Sequence, residues 1–85
     1  MRWRNFNEWK TYATSFLLEL RRKHEDDNKI RSDIDVLLSK LHYLRGRDLG
    51  NFLHYCHIII RDDGVKELYE IIPTPEEVAQ LILSE

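Results

Sequence analysis

The stretch that most constrains the fold of this chain is DLGNFLHYCHIIIR, residues 48–61. Leu49, Phe52, Leu53, Cys56, Ile59 and Ile60 recur at the spacing of one helix face, and Tyr55 and Ile58 extend that face to the side. A helix that is apolar over most of its circumference needs neighbours on several sides. The stretch is therefore predicted to be the central helix of a small bundle.

Three further helices are indicated by apolar spacing and by signals at their ends. They are predicted over residues 6–24, 28–45 and 75–84. Asn5 or Asn7 is expected to cap the first, because a side-chain oxygen there satisfies free backbone N–H groups. Gly46 is expected to end the second, and Thr74 followed by Pro75 to begin the last. Short connections make antiparallel neighbours, in a single helical domain over residues 1–85.

Residues 65–72 allow two interpretations, which differ in fold class. As a helix they place their charged side chains on one side, and the protein is an all-α bundle of four to five helices. As a strand they pair with residues 55–60 across Asp63 and Gly64, and the protein has three helices, a C-terminal β-hairpin wing and a final helix. Neither face of such a strand is consistently apolar, so we predict the helix.

Composition indicates a globular domain, since 42% of the residues are hydrophobic and only three are glycine and two proline. The single cysteine, Cys56, has no partner for an internal disulfide, and the amino-terminal residues lack the apolar core of a signal peptide. The longest apolar run, residues 58–60, is far too short to span a bilayer. We therefore expect a soluble protein of a reducing cytoplasm.

Charge is unevenly distributed along the chain, although the net charge is only −2. Residues 1–47 carry eleven basic and seven acidic side chains, whereas residues 48–85 carry two basic and eight acidic ones. Such asymmetry can orient a partner or favour head-to-tail self-association at low salt. Mixed charge of this density is also common on the solvated faces of small domains.

The polar side of the predicted central helix carries basic and titratable side chains at intervals of three or four residues. This α3 row consists of Arg47, Gly50, His54, His57 and Arg61, with Lys40 and Arg45 as basic neighbours from the second helix. Arginines are enriched among the residues that dominate protein interfaces, and glycine permits close approach. We interpret this surface as the contact for an acidic protein partner. The alternative is the solvent side of an otherwise buried helix.

The expected function is therefore that of a small protein–protein interaction module, such as an adaptor, an inhibitor or a regulatory subunit. No enzyme is expected, because the chain has no nucleophile with a credible base and no glycine-rich phosphate loop. No metal or other cofactor is expected either. On a helix Cys56 points away from His54 and His57, so the three cannot bind one ion.

The alternative function is that of a small nucleic-acid-binding regulator of helix-turn-helix or winged-helix type. The second helix, residues 45–47 and the central helix have helix-turn-helix spacing, with Asn51 and His54 placed as base-reading side chains. The expected backbone contacts are Arg2, Arg4, Arg21, Arg22, Lys23, Lys29 and Arg31. Trp3 either stacks on a base or packs on the first helix. The negative net charge opposes this alternative.

Overall fold

Helices account for all regular secondary structure of the computed structural model, which describes residues 1–85. The α-helices are α1 (Phe6–Lys23), α2 (Asn28–His42), α3 (Leu49–Asp63) and α4 (Pro75–Leu83), and two 3₁₀ helices cover Gly46–Asp48 and Lys66–Ile71. The predicted all-α bundle is confirmed. The hairpin alternative is wrong, because the chain contains no strand. None of the helices combines the length and the apolar character that crossing a bilayer requires.

Three α-helices begin at caps that their own sequences supply. Asn5 accepts a hydrogen bond from the backbone N–H of Glu8 at 2.8 Å, and Asp27 accepts one at 3.1 Å at the start of α2. The hydroxyl of Thr74 accepts from the backbone N–H of Glu77, whose carboxylate accepts in return from the N–H of Thr74 at 2.9 Å. These bonds satisfy donors that a helix start leaves free, so each helix begins at a defined residue.

The second helix ends at His42, earlier than the predicted residue 45. Arg45 is extended, with φ −108° and ψ 157°, and Leu44 turns inward and is buried. Burying a leucine side chain contributes about 1.5–3 kcal/mol, whereas helix propensities differ by only tenths of that per residue. Burial of Leu44 therefore outweighs the stability that a longer α2 would gain. The connection to α3 is an irregular turn over residues 43–45 followed by the 3₁₀ helix Gly46–Asp48.

The segment 65–72 is helical, as predicted, but in the tighter 3₁₀ form over Lys66–Ile71. Gly64 ends α3 with φ 70°, and its N–H donates to the carbonyl of Ile60 at 3.0 Å. The Asp63–Gly64 pair that resembles a hairpin signal is therefore a helix end. Side chains three residues apart share one face of a 3₁₀ helix. The buried face here consists of Val65, Leu68 and Ile71.

The core is built around Trp9 of α1 and the apolar face of α3. All six residues predicted to face the core from α3 are buried: Leu49, Phe52, Leu53, Cys56, Ile59 and Ile60. Trp9 meets the ring of Phe52 edge-on at 5.8 Å and donates its indole N–H to the carbonyl of Ile71 at 2.9 Å. Trp9 thus links α1 to α3 and to the 3₁₀ helix before α4. The packed interior leaves the outer faces of α2 and α3 free for contacts.

Candidate functional site

The basic residues expected to contact nucleic acid are mostly held by carboxylates of the same chain. The ion pairs are Arg2–Glu77, Arg4–Glu8, Arg21–Asp35, Arg22–Glu19, Lys23–Glu67, and Lys29 with both Asp33 and Asp63. Arg31 donates instead to the carbonyl of Glu25 and to the side chain of Asn28. Each of these cations therefore has an internal partner that a phosphate would have to replace.

Two of the ion pairs strongly perturb their carboxylates. A hydrogen bond from Arg2 lowers the pKa of Glu77 to about 2, helped by the backbone N–H of Thr74. A hydrogen bond from Lys23 lowers the pKa of Glu67 to about 2, helped by that residue's own backbone N–H. Because these carboxylates stay charged, they hold their cations in place. Arg2 and Lys23 therefore act as structural residues that stabilise the fold.

Trp3 packs on the first helix, which was one of its two expected roles. Its side chain is buried, and its ring centroid lies 5.5 Å from that of Tyr12 in α1. The guanidinium of Arg2 covers the ring at 4.2 Å from its centroid. The indole therefore has no free face on which a base could stack.

The α3 row lies on the solvent side of its helix. All of its members, Arg47, Gly50, His54, His57 and Arg61, are exposed. Arg61 pairs with the neighbouring Asp62 at 2.9 Å, and the ring of His57 meets that of Tyr69 edge-on at 6.0 Å. Arg47 lies in the 3₁₀ helix just before α3, and His54 and Arg61 are about 10 Å apart along α3 at the helical rise of 1.5 Å per residue. The row is therefore a long exposed strip rather than a pocket.

Cys56 lies in the core, away from the two histidines of α3. It is fully buried, and burial raises the pKa of its thiol to about 12. His54 and His57 are exposed to solvent. No group of three or more His, Cys, Asp or Glu side chains lies close enough together to hold a metal ion. These three neighbours in sequence thus occupy different environments.

Basic side chains without a carboxylate partner gather around an exposed tyrosine at the turn between α2 and α3. Tyr43 is 78% exposed, and its ring meets that of His42 edge-on at 4.7 Å. Depressions around this turn are lined by Lys10, Lys40, Arg45 and Arg47. None of these four cations forms an ion pair. We call Lys10, Lys40, Tyr43, Arg45 and Arg47 the Tyr43 patch.

The Tyr43 patch is positioned by α1, by α2 and by the turn that follows it. Lys10 projects from α1 and donates to the carbonyl of Leu44 at 3.2 Å. Lys40 projects from the last turn of α2, with its ammonium 5.0 Å from the ring centroid of Tyr55. Leu44 is buried and anchors the turn, while its two sequence neighbours are exposed. Because these supports are packed elements, the patch has a defined shape.

A carboxylate of the same chain already reaches the edge of the Tyr43 patch. The side chain of Glu85 accepts a hydrogen bond from the backbone N–H of Gly46 at 2.7 Å. Glu85 and Arg45 both line a depression of about 470 Å³, and a second of about 350 Å³ is lined by Glu85, Arg45 and Arg47. Neither arginine closes on this carboxylate to form an ion pair. The positive charge around Glu85 therefore remains available.

A second cluster of charge joins the start of α2 to the end of α3. Lys29 lies 2.8 Å from a carboxylate oxygen of Asp33 and 3.1 Å from one of Asp63. The contact with Asp33, together with burial, raises the pKa of Asp63, and the same contact lowers the pKa of Asp33. The other oxygen of Asp63 is buried without a hydrogen-bond partner. Of the two carboxyl groups, Asp63 is therefore the one whose charged form is disfavoured in the folded protein.

Sequence reasoning identified Lys40, Arg45 and Arg47 but missed Tyr43 and Lys10. The tyrosine lies in the run KLHYLRGR, and an aromatic residue among basic ones is a signal that could have found it. Lys10 carries no such signal, because only the packing of α1 against α2 brings it to the turn.

No family model, curated protein or solved structure matches this chain. Its function is therefore inferred from its own side chains. Among them, the Tyr43 patch combines unpaired positive charge, an exposed aromatic ring and surface depressions.

Proposed function

We propose that this protein is a small non-enzymatic interaction module, an adaptor, an inhibitor or a regulatory subunit, that binds an acidic protein partner. The contact surface is the Tyr43 patch, continued along the α3 row toward Arg61. The observation that carries the proposal is the absence of ion pairs at the patch. Most other cations of the chain are neutralised internally, whereas these remain available for a partner's carboxylates.

The chemistry of the Tyr43 patch suits a protein interface. Tyrosine and arginine are enriched among the residues that dominate binding energy. Tyr43 offers a large and rigid ring, and Arg45 and Arg47 offer planar donors that match carboxylates in two-point contacts. Unpaired charge also steers an acidic partner and raises its association rate. These properties support a protein partner without requiring a deep pocket.

The nucleic-acid alternative rests on the exposure of Asn51 and His54 on α3, just after Arg45 and Arg47. In a helix-turn-helix these positions would face a major groove. The winged form of this alternative loses its basis, because the chain has no strand. The ion pairs of the amino-terminal cations further weaken it, since phosphate contacts need free positive charge. We therefore place a protein partner first.

Affinity capture with two charge-matched triple variants tests the proposal. One variant reverses the patch, Lys40→Glu/Arg45→Glu/Arg47→Glu, and the control reverses three exposed cations elsewhere, Arg4→Glu/Arg22→Glu/Lys66→Glu. The tagged wild type and the control are expected to recover the same partner from native lysate with or without nuclease. The patch variant is expected to lose that partner while keeping a thermal midpoint close to that of the control.

Two outcomes would contradict the proposal. Retention of the partner by the patch variant would remove the Tyr43 patch as the contact surface. Recovery that nuclease abolishes would favour the nucleic-acid alternative, because the captured material would then be held through nucleic acid. The control variant guards against a general effect of net charge, since both variants exchange three cations for three acids.

A further inference from the structure

The hydrogen bond between Glu85 and Gly46 places an acidic side chain inside the proposed contact surface. The donor is the backbone N–H of Gly46, and the 2.7 Å distance to the carboxylate oxygen is that of a short charge-assisted bond. A Cβ atom on residue 46 would lie 2.9 Å from the other oxygen of this carboxylate. The approach is therefore one that only glycine accommodates without a shift of Glu85.

The surroundings of this carboxylate are cationic but not neutralised. Arg45 and Arg47 stand beside it in the same depression, and neither forms an ion pair with it. Tyr43 and Lys10 line the adjoining depression together with Glu85. One carboxylate thus occupies a position that has charge and space for several. An acidic segment entering this surface would meet Glu85 first.

We propose that Glu85 is a built-in competitor for the acidic partner, so that binding requires its carboxylate to leave Gly46 and a carboxylate of the partner to take its place. This inference rests on the proposed function of the Tyr43 patch. The partner it specifies is an acidic peptide segment: one carboxylate replaces that of Glu85, and others pair with Arg45 and Arg47. The contact of Glu85 with Gly46 therefore keeps the free protein in a weaker-binding state.

The segment that carries Glu85 is held in a way that lets the side chain move alone. The hydroxyl of Ser84 accepts a hydrogen bond from the backbone N–H of Phe6 at 3.0 Å and donates one to the carbonyl of Leu81 at 2.9 Å. These bonds anchor the backbone one residue before Glu85. Release then needs only rotation of an exposed side chain. The competition is accordingly modest, and removing it should tighten binding about three- to tenfold.

An acidic peptide fits this surface better than a nucleic acid does. The anion that already accepts a hydrogen bond there is a carboxylate, held by a backbone N–H. Asp48 lines the depression beside Tyr43, where it would repel a continuous row of phosphates. The net charge of −2 also gives little long-range attraction for a polyanion of high charge density. Carboxylates spaced along a peptide can instead match the few separate cations.

The test measures binding of a short fluorescein-labelled peptide, in which glutamates are separated by glycines, by fluorescence anisotropy at low salt. Glu85→Gln removes the competing charge, and Glu76→Gln is the matched control, since Glu76 is exposed and forms no ion pair. Glu85→Gln is expected to bind about three- to tenfold more tightly than wild type. Glu76→Gln is expected to bind like wild type. In ¹⁵N-correlated NMR spectra, the Gly46 amide should shift in Glu85→Gln and on adding peptide to wild type.

Each contrary result identifies which idea fails. Equal affinities of wild type, Glu85→Gln and Glu76→Gln, with binding still lost in the Lys40→Glu/Arg45→Glu/Arg47→Glu variant, would overturn the competitor role and leave the proposed function standing. Equal binding by that patch variant, or no binding by any variant, would overturn both. A single-stranded DNA of the same length that binds more tightly than the peptide would overturn the acidic peptide as the occupant. An unmoved Gly46 amide in Glu85→Gln would remove the contact on which the inference depends.

Discussion

Arg2 and Glu77 form an ion pair at 2.9 Å, although 75 positions separate them in the chain. The same guanidinium donates to the carbonyls of Glu70 and Ile72 at 3.1 and 3.0 Å. The carboxylate of Glu77 also accepts from the backbone N–H of Thr74 at the start of α4. One pair of side chains therefore holds the start of α4 against the residues that precede α1.

Replacing Arg2 by alanine is expected to lower the free energy of unfolding by about 1–3 kcal/mol, because a largely buried carboxylate is left without its strongest donor. The side chain of Glu77 is only 10% exposed. Urea denaturation measures the loss. Arg4→Ala is the control, because the Arg4–Glu8 pair is on the surface, where solvent screens it, and its loss should cost much less. Equal losses in the two variants would show that the Arg2–Glu77 pair contributes no more to the free energy of unfolding than a surface ion pair does.

Acid is expected to destabilise the protein in a window set by Glu67 and Glu77. Their folded-state pKa values of about 2 lie below the ordinary value of 4.5, so the unfolded chain takes up protons first as pH falls. The stabilisation is therefore complete above about pH 5 and is lost progressively toward pH 2. The thermal midpoint of the wild type should fall as pH is lowered across this range, and that of Glu77→Gln should fall less steeply. Identical slopes for wild type and variant would remove Glu77 as a source of the pH dependence.

Replacing Asp63 by asparagine is expected to stabilise the protein at neutral pH. One oxygen of Asp63 is buried without a partner, and a negative charge at the end of α3 opposes the helix dipole. The folded-state pKa of Asp63 is raised above its ordinary value, so the folded protein binds a proton here more readily than the unfolded chain does. This stabilises the fold at low pH, and the stabilisation is lost as pH rises through the folded-state pKa. A neutral amide avoids that loss, with an expected gain of about 0.5–1 kcal/mol near pH 7.

Thermal melts at neutral pH and near pH 3 check the Asp63→Asn prediction, since the gain should disappear in acid. Asp62→Asn is the control: the hydrogen bond from Arg61 lowers the pKa of Asp62, so removing that charge should give no gain. A loss of stability in Asp63→Asn at neutral pH would mean that Lys29 requires both charged carboxylates.

Truncating the buried side chains of α3 should strongly destabilise the protein. Phe52→Ala and Ile59→Ala are each expected to cost about 2–5 kcal/mol, because the surrounding core cannot fill the cavity that they leave. Both side chains are buried, and Phe52 packs against Trp9. Chemical denaturation gives the values, and Ile82→Ala, at a 43% exposed position of α4, is the control. A loss under about 1 kcal/mol at Phe52 or Ile59 would contradict the central position of α3.

Charge reversal separates the two ends of the α3 row. Arg47→Glu/Arg61→Glu is expected to abolish partner capture while leaving the thermal midpoint within a few degrees of wild type, because both side chains are exposed. Arg47→Glu alone should lose more binding than Arg61→Glu alone, since Arg61 is already paired with Asp62. Equal losses would show that Arg61 contributes as much to binding as Arg47 despite its pair with Asp62. A collapsed midpoint would make the row a structural feature.

Most of the fold followed from local patterns in the sequence. The capping side chains of Asn5 and Thr74 act on backbone groups within three residues, and the apolar face of residues 48–61 repeats every three or four. Such signals depend on near neighbours alone, so they can be recognised without knowing the fold. The end of α2 could not be predicted in this way, because the burial of Leu44 depends on which side chains the other helices place beside it.

The basic run before α3 is visible in the sequence, so Lys40, Arg45 and Arg47 could be predicted as contact residues. Whether a cation has a carboxylate partner depends on how the helices pack: these three stay unpaired, while Arg2 and Lys23 are neutralised. The tertiary structure also brought Lys10 from α1 and Glu85 from beyond α4 to the same turn. Helical periodicity reports which residues face water. The choice of which carboxylate meets which cation depends on distances between elements far apart in the chain, and only their packing sets those distances.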